Sequence, residues 1–418
     1  RLGCDTRALT ILLDALAAIY PSCDTGPVWY PGVGGRLNRP FYQTARTLIY
    51  YANVYDLTYD SPEWDLPSCD PAAGTRRTHY EQNLLRNGAA YCFGEVTKQK
   101  SPALHNGNCD YLQGALAVGR VLGIPQYIDF VLQSDLSIFN FIDNTIDRDG
   151  QYYETSFSYS QHAVELFSHH AEMLRNFRSP TYPQGVNLYD LPKLRTNYLR
   201  AEHDIDCAGH QPALGDAGPD LTVAGDDDRA ALRSRVAERL EVLAARTSDP
   251  AQRLAAERQL WQLADGDLDA LRSKSLRGRW LLFHADDLPA PPPHESQAAT
   301  PDACTLLPGG RGVAILRSGS AGSGQRCALL RYGATLNHGS ADEMNVNLYA
   351  FGREISYDQG YGWAHHRCGW AHSTVAHNVV VVNEKNQLRN AAGSGGSLEQ
   401  YCQSPRVRVV AADAPLAY

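Results

Sequence analysis

Three short stretches concentrate side chains that can move protons or hold an anion. They are His105-Asn106-Gly107-Asn108, then Tyr153-Glu154-Thr155-Ser156-Phe157-Ser158-Tyr159, and then Asn337-His338-Gly339-Ser340-Ala341-Asp342. A phenol can both accept and donate a proton when neighbouring cations lower its pKa of ~10. Amides and imidazoles donate hydrogen bonds, and fixed donors in a partly dry site stabilise developing negative charge better than water does. Together these types suit proton abstraction beside a carboxylate, where the charge of the resulting enolate has to be neutralised. Paired carboxylates would instead serve a hydrolase as acid and base; Asp110, Asp143 and Glu154 are available, but no spacing favours a pair. Each group also has an ordinary structural use. Asn106 or Asn108 is placed to cap the helix that follows, and Tyr159 is one of 23 tyrosines, most of which serve packing or sugar stacking.

The elements that must position these groups change character along the chain. Up to about residue 290 the apolar residues recur at helical spacing, as in Ala45, Leu48, Ile49 and Ala52, or Leu112, Ala115, Leu116 and Leu122. The pattern predicts helices over 6–19, 40–57, 79–97, 108–122, 125–141, 158–178, 185–201, 228–246 and 249–275, with a long loop from Arg200 to Asp228. A proline-rich connector, 289–302, then separates a helical domain, 1–288, from a second domain, 303–418. Strand-like runs over 312–317, 327–332, 346–351, 377–383 and 406–411 predict an antiparallel sheet or sandwich there.

Composition narrows the function classes. The 418 residues are 43% apolar and 20% charged with a formal net charge of −8, enough to bury a large core. No Lys/Arg run makes a nucleic-acid or membrane-surface patch, and no stretch approaches the ~20 apolar residues of a membrane span. The ten cysteines include no C-x-x-C pair and no zinc-ribbon spacing, so buried thiols with some disulfides are expected. The chain starts at Arg1 without an initiator Met and stops within an alternating apolar stretch, and it is read as a piece of a longer protein.

The block from Asn337 through Arg353, followed by Tyr357-Asp358-Gln359-Gly360-Tyr361-Gly362, resembles the H-G-H-x-D, L-Y-A-x-G and D-x-G-Y elements of heparinase II/III-like polysaccharide lyases, a group that includes alginate and oligoalginate lyases. Ser373 through Asn383 resembles their S-T-x-A-H-N-x-V-V-V element. His105 to Asn108, Glu154 to Tyr159, and His210-Gln211-Pro212-Ala213-Leu214-Gly215-Asp216 are similar to further segments of that family. The resemblance implies an α+β multidomain fold, an N-terminal incomplete (α/α) toroid followed by a C-terminal antiparallel β-sandwich. It implies β-elimination on an anionic, uronic-acid-containing polysaccharide or oligosaccharide. Tyr159 would be base and acid, His338 a second base or carboxylate holder, and His105 and Asn106 the carboxylate neutralisers. Asn108, Tyr153, Glu154 and Tyr361 are the expected substrate-binding residues. Relatives often carry a second His where this chain has Ser340, and in some of them it joins an Asp and a later His around a structural zinc. Here Asp358 and His377 would remain, two ligands where a stable site needs three or four, so no cofactor is expected to be required. A structural zinc is the alternative. A glycoside hydrolase on the same toroid and a glycan-binding protein without activity are the rival readings. A polymer substrate favours a secreted or periplasmic setting, and an oligosaccharide substrate a cytoplasmic one. The particular glycan, endo or exo action and the oligomeric state have no readable signal.

Overall fold

A computed structural model describes residues 5–23, 42–200, 205–217, 226–264, 267–273, 304–319, 324–360, 367–389, 393–404 and 406–418. The proline-rich connector and Tyr361 lie outside the described residues. Compactness divides the chain into two units, one of Arg1–Thr145 with Glu165–Val186, the other of Ile146–Val164 with Asn187–Tyr418. The composition-based boundary is therefore not where compactness divides the chain, since the helices after residue 187 group with the strands.

The first unit is helical. Its elements are α1 (Thr6–Ile19), α2 (Gln43–Thr58), α3 (Arg76–His79), α4 (Asn87–Thr97), α5 (Asn106–Leu122), α6 (Pro125–Gln133) and α7 (Ile138–Thr145), with a π-helical stretch, Tyr80–Arg86, joining α3 to α4. The helix predicted over 125–141 is thus two, interrupted before Ile138. Asp5 starts α1 by accepting from the amides of Arg7 and Ala8. At the centre, α5 buries Cys109, Leu112, Ala115, Leu116 and Val118, and it stops at Gly123 in the left-handed region, φ 64°. Helices α2 and α5 pack very closely, because a Cβ at Gly114 would lie 2.8 Å from Ala45 Cα. Across that contact Arg46 donates to both oxygens of the buried Asp110, at 2.8 and 2.7 Å.

Helix α8 (Phe157–Arg175) runs through the division at Val164, and the second unit adds α9 (Pro192–Arg200), α10 (Asp226–Arg246), α11 (Pro250–Ala264) and α12 (Leu268–Ser273). Five strands follow in an antiparallel meander, β1 (Thr305–Leu307), β2 (Val313–Ser318), β3 (Arg326–Arg331), β4 (Asn345–Ala350) and β5 (Arg353–Glu354), paired in chain order. A separate antiparallel pair is formed by β6 (Ser397–Gln403) and β7 (Arg408–Asp413). The alternation predicted for β4 is present but inverted in chemistry. Asn345, Asn347 and Tyr349 face inward, while Val346 and Leu348 are exposed. The inward amides donate to carboxylates, Asn345 to Asp342 and Asp358 and Asn347 to Glu354.

The predicted strand over 377–383 does not form. It meets β4 through Val346 N–H to Asn378 O and Asn378 N–H to Asn345 Oδ1, and the chain then turns at Asn383 and Glu384, with φ of 52° and 57°. A second interruption of expectation is the loop before α10. Its residues 205–217 are packed inside the unit, where Ile205, Cys207, Ala208 and Leu214 share a core with Phe157, Leu307, Ile315, Leu329 and Tyr349.

Arg311 ties this core to the start of α8. Its buried guanidinium donates to the carbonyls of Thr155, Tyr152 (3.0 Å) and Ser156 (3.4 Å) and lies 4.5 Å from the Phe157 ring centre. Burial lowers its pKa to about 9, showing how poorly the surroundings solvate the charge. Arg311→Met keeps most of the volume but takes this donor from the Thr155 and Tyr152 carbonyls, while Ser156 O still accepts from Ser160 N–H. It should cost about 2 kcal/mol or more in urea unfolding, since each unsatisfied buried group costs roughly 1–3 kcal/mol; a loss under about 1 kcal/mol would contradict this role for Arg311.

Candidate active site

His105 is the N-cap of α5, in extended conformation with φ −125° and ψ 158°. Its ring Nδ1 accepts from the amide of Gly107 at 3.0 Å and from that of Asn108 at 3.4 Å. An acceptor Nδ1 leaves the proton on Nε2, so the helix amides select the tautomer. Burial holds the His105 pKa below the usual imidazole range, with Asp110 opposing the shift. The imidazole is thus a neutral donor through Nε2–H at the positive end of a helix. Gly107 is required by this arrangement, since a Cβ there would sit 2.9 Å from His105 Cε1. Asn106 is half-buried, and its Oδ1 accepts from Gly107 N at 3.0 Å, which aims the acceptor inward and leaves the NH2 group to donate.

Asn108 is fully buried instead. Its NH2 donates to Ala103 O at 2.9 Å and Gln99 Oε1 at 3.2 Å, while its Oδ1 accepts from Gln99 Nε2 at 2.8 Å. All of its amide chemistry is spent inside the fold, which corrects its assignment as a substrate contact.

The second unit brings together three segments that are far apart in sequence. The amide of Thr155 donates to Asn337 O at 3.0 Å, and Leu336 N–H donates to Thr155 Oγ1 at 2.9 Å. The Asp216 amide donates to His338 O at 2.8 Å. His338 itself adopts φ 56°, a left-handed conformation uncommon outside glycine. Gly215 has φ +60°, and a Cβ there would lie 2.1 Å from His338 O, so no other residue fits.

These constraints place the Tyr159 ring over the His338 imidazole, with centres 3.6 Å apart and planes 14° from parallel. Asp216 Oδ2 lies 2.7 Å from His338 Nδ1, and Asp216 Oδ1 lies 2.9 Å from His372 Nε2. The carboxylate is buried, whereas 27% of the His338 side chain and 16% of the His372 side chain remain accessible. A carboxylate facing Nδ1 keeps the proton there and presents the Nε2 lone pair of His338 outward. Asp216 entered the sequence reading only within its motif.

Beside this group, Asn337 Nδ2 donates to the Tyr153 hydroxyl at 3.3 Å, and the Tyr153 ring lies 4.8 Å from that of Tyr152. Glu154 is 2% exposed, and its Oε2 has no hydrogen-bond partner. Burial raises its pKa, against the opposing pull of His338 and His162. Glu154 is thus an inward group under the site, not one that meets a sugar from solvent.

Asp358 and His377 are joined by Asp342, with ligand atoms within 4.8 Å and all three residues buried. Distance alone would admit a metal, and in this structure the same atoms are joined by hydrogen bonds. His377 Nδ1 is 3.1 Å from Asp358 Oδ2, and its Nε2 is 2.9 Å from Ala371 O. Both nitrogens thus face acceptors. Burial opposes protonation of His377, but Asp358 and Asp342 outweigh it and raise the pKa; the bond to His377 likewise holds Asp358 low against burial. Arg331 bonds Asp342 at 2.9 Å. Ser340 Oγ points elsewhere, to Ala371 O at 3.3 Å.

No protein-family model and no curated protein matches the chain. Solved structures do. A heparinase III structure with methylated lysines superposes with a TM-score of 0.54 at 14% identity, covering 90% of this chain and 49% of that one. The heparan sulfate lyase HepC from Pedobacter heparinus gives 0.53 at 13% identity, covering 99% and 54%. A mutant of that enzyme gives 0.52 at 13%, covering 90% and 50%. The chain shares their fold and spans about half the length of the structures it matches.

The capping role of His105 has a pH signature. With the folded pKa below the unfolded value of ~6.5, the unfolded chain binds more protons in the interval between them, and stability falls as pH falls through it. His105→Asn keeps an N-cap acceptor but does not titrate. The melting temperature of the native chain relative to this variant should therefore drop between about pH 7.5 and pH 5; a constant difference would refute the neutral cap.

Proposed function

We propose that this chain is a polysaccharide lyase that cleaves uronic-acid-containing anionic glycans by β-elimination, with Tyr159 and His338 as the proton-transfer pair. The observation that carries the reading is the stack of Tyr159 on an imidazole whose Nδ1 is held by Asp216. Such an imidazole is an oriented acceptor, and a phenol beside it can exchange a proton in either direction. The base removes the proton on C5 of the uronate, electrons move to expel O4, and the phenol protonates the leaving oxygen. The product carries a conjugated C4–C5 alkene.

The dianionic enolate in between needs donors. His105 and Asn106 keep the carboxylate-neutralising role, on their motif and on the free Nε2–H and NH2 donors described above. Tyr153 remains a candidate sugar contact, and Tyr361 is one by its motif alone. The incomplete (α/α) toroid and β-sandwich are the finer architecture that this reading assumes. Heparan-type glycans are the first substrates to test, because the matched structures include heparan sulfate lyases.

The hydrolase reading has less support. Asp110 is buried and bound by Arg46, Asp143 is exposed on α7, and Glu154 is sealed under the site. No metal enters the proposed steps.

Tyr159→Phe removes one oxygen and keeps the stacked ring. Alkene formation, read by ultraviolet absorption, should fall by about 10² to 10⁴ while polymer binding changes far less. Near-normal turnover in a correctly folded variant would take Tyr159 out of the chemistry.

A further inference from the structure

The first unit holds a second group of metal-ligating side chains among its described residues. Asp14 on α1, Cys69 in the turn before α3, and His79 at the end of α3 bring a carboxylate oxygen, a thiol and an imidazole nitrogen within 4.8 Å of one another. Asp14 Oδ1 lies 2.7 Å from His79 Nδ1 and accepts from Ser68 Oγ at 2.7 Å. The Ser68 hydroxyl is also 2.8 Å from His79 Nδ1. The Cys69 amide holds the other oxygen, Oδ2, at 2.6 Å.

We infer that Asp14, Cys69 and His79 form a structural zinc site in the first unit. Three observations argue for a cation there. Only 3% of the Asp14 side chain is exposed, and no Lys or Arg among the described residues pairs with it. His79 is wholly buried, and the nitrogen it turns to the cluster, Nδ1, faces Asp14 and Ser68. Finally, thiolate, imidazole and carboxylate are together the donor set of four-coordinate zinc, whereas a hard cation such as magnesium would select oxygen alone.

The geometry is near what zinc requires. Bonds of ~2.0–2.1 Å to nitrogen and oxygen put tetrahedral neighbours about 3.3 Å apart, so the 2.7 Å Asp14–His79 gap must open by roughly half an ångström. Binding would release the thiol proton and the proton shared by Asp14 and His79 to solvent. Ser68 Oγ stands next to the centre for the fourth position, and exposed Cys69 provides the entry path. Contrast the Asp342–Asp358–His377 cluster, where Arg331 already bonds Asp342 and both His377 nitrogens face acceptors. The zinc would pin α1, the 68–70 turn and α3 together, and the inference does not rest on the proposed lyase reaction.

Cobalt(II) and zinc are the probes, used with the whole chain. After dialysis against a weak chelator the protein should retain one zinc per chain. Replacement by cobalt should give a thiolate-to-cobalt charge-transfer band in the near ultraviolet. Cys69→Ser, at an exposed position that folding tolerates, should abolish the band and weaken zinc binding at least tenfold, whereas Cys402→Ser should leave both unchanged. Asp14→Asn should weaken binding while the band persists at saturating cobalt. Absence of bound metal, a cobalt spectrum without a thiolate band, or zinc retention that ignores Cys69→Ser would each overturn the site.

Discussion

Each oxygen of the buried Asp216 carboxylate lies within hydrogen-bond distance of a different histidine, His338 on one side and His372 on the other. A charge held out of water is tolerable only while its partners stay in place, and removing one partner of a buried pair typically costs about 3–5 kcal/mol. The loop bearing Asp216, the loop bearing His338 and the segment bearing His372 are therefore coupled. Backbone bonds reinforce this coupling, Asp216 N–H to His338 O and Ala341 N–H to His372 O. Gly215 is the steric condition for the first of these, since any side chain would collide with the His338 carbonyl.

Elsewhere in the second unit, buried guanidinium groups each serve several acceptors. Arg311 serves three carbonyls before α8, Arg317 serves Asp206 O and Thr305, and Arg331 serves Asp342, Thr335 and Ala334 O. Such networks add little net stability over an apolar core, but a satisfied network has one geometry, and a proton-transfer pair needs that. The apolar contribution comes from Phe157, Leu214, Ile315 and Leu329, each worth roughly 1.5–3 kcal/mol on burial. The left-handed φ of His338 persists because these surroundings over-determine it.

Helical spacing, caps and turn residues made most helices legible in the sequence, because 3.6-residue periodicity is a local property. Helix α1 matches its predicted bounds, and α2, α5, α8 and α10 lie within a few residues of theirs. Four strands were legible for the same reason, with period two in place of 3.6. The run of valines at 379–382 misled, because an apolar β-branched run forms a strand only where a neighbour offers a ladder, and none of the described strands pairs with it.

The His105-Asn106 helix start, Tyr159 at the start of α8, and the His338 block were visible as motifs in the chain. Tertiary structure alone decided what each does. It made His105 the cap and Asn108 a spent interior amide, because that depends on which amides and carbonyls lie within 3.5 Å. It gave His338 the partnership of Asp216, 122 residues earlier, and joined His372 to the same carboxylate across 156 residues. It also set the two nitrogens of His377 against Asp358 and the Ala371 carbonyl. Such pairings arise from chain topology, and no local periodicity encodes a contact between side chains more than a hundred residues apart.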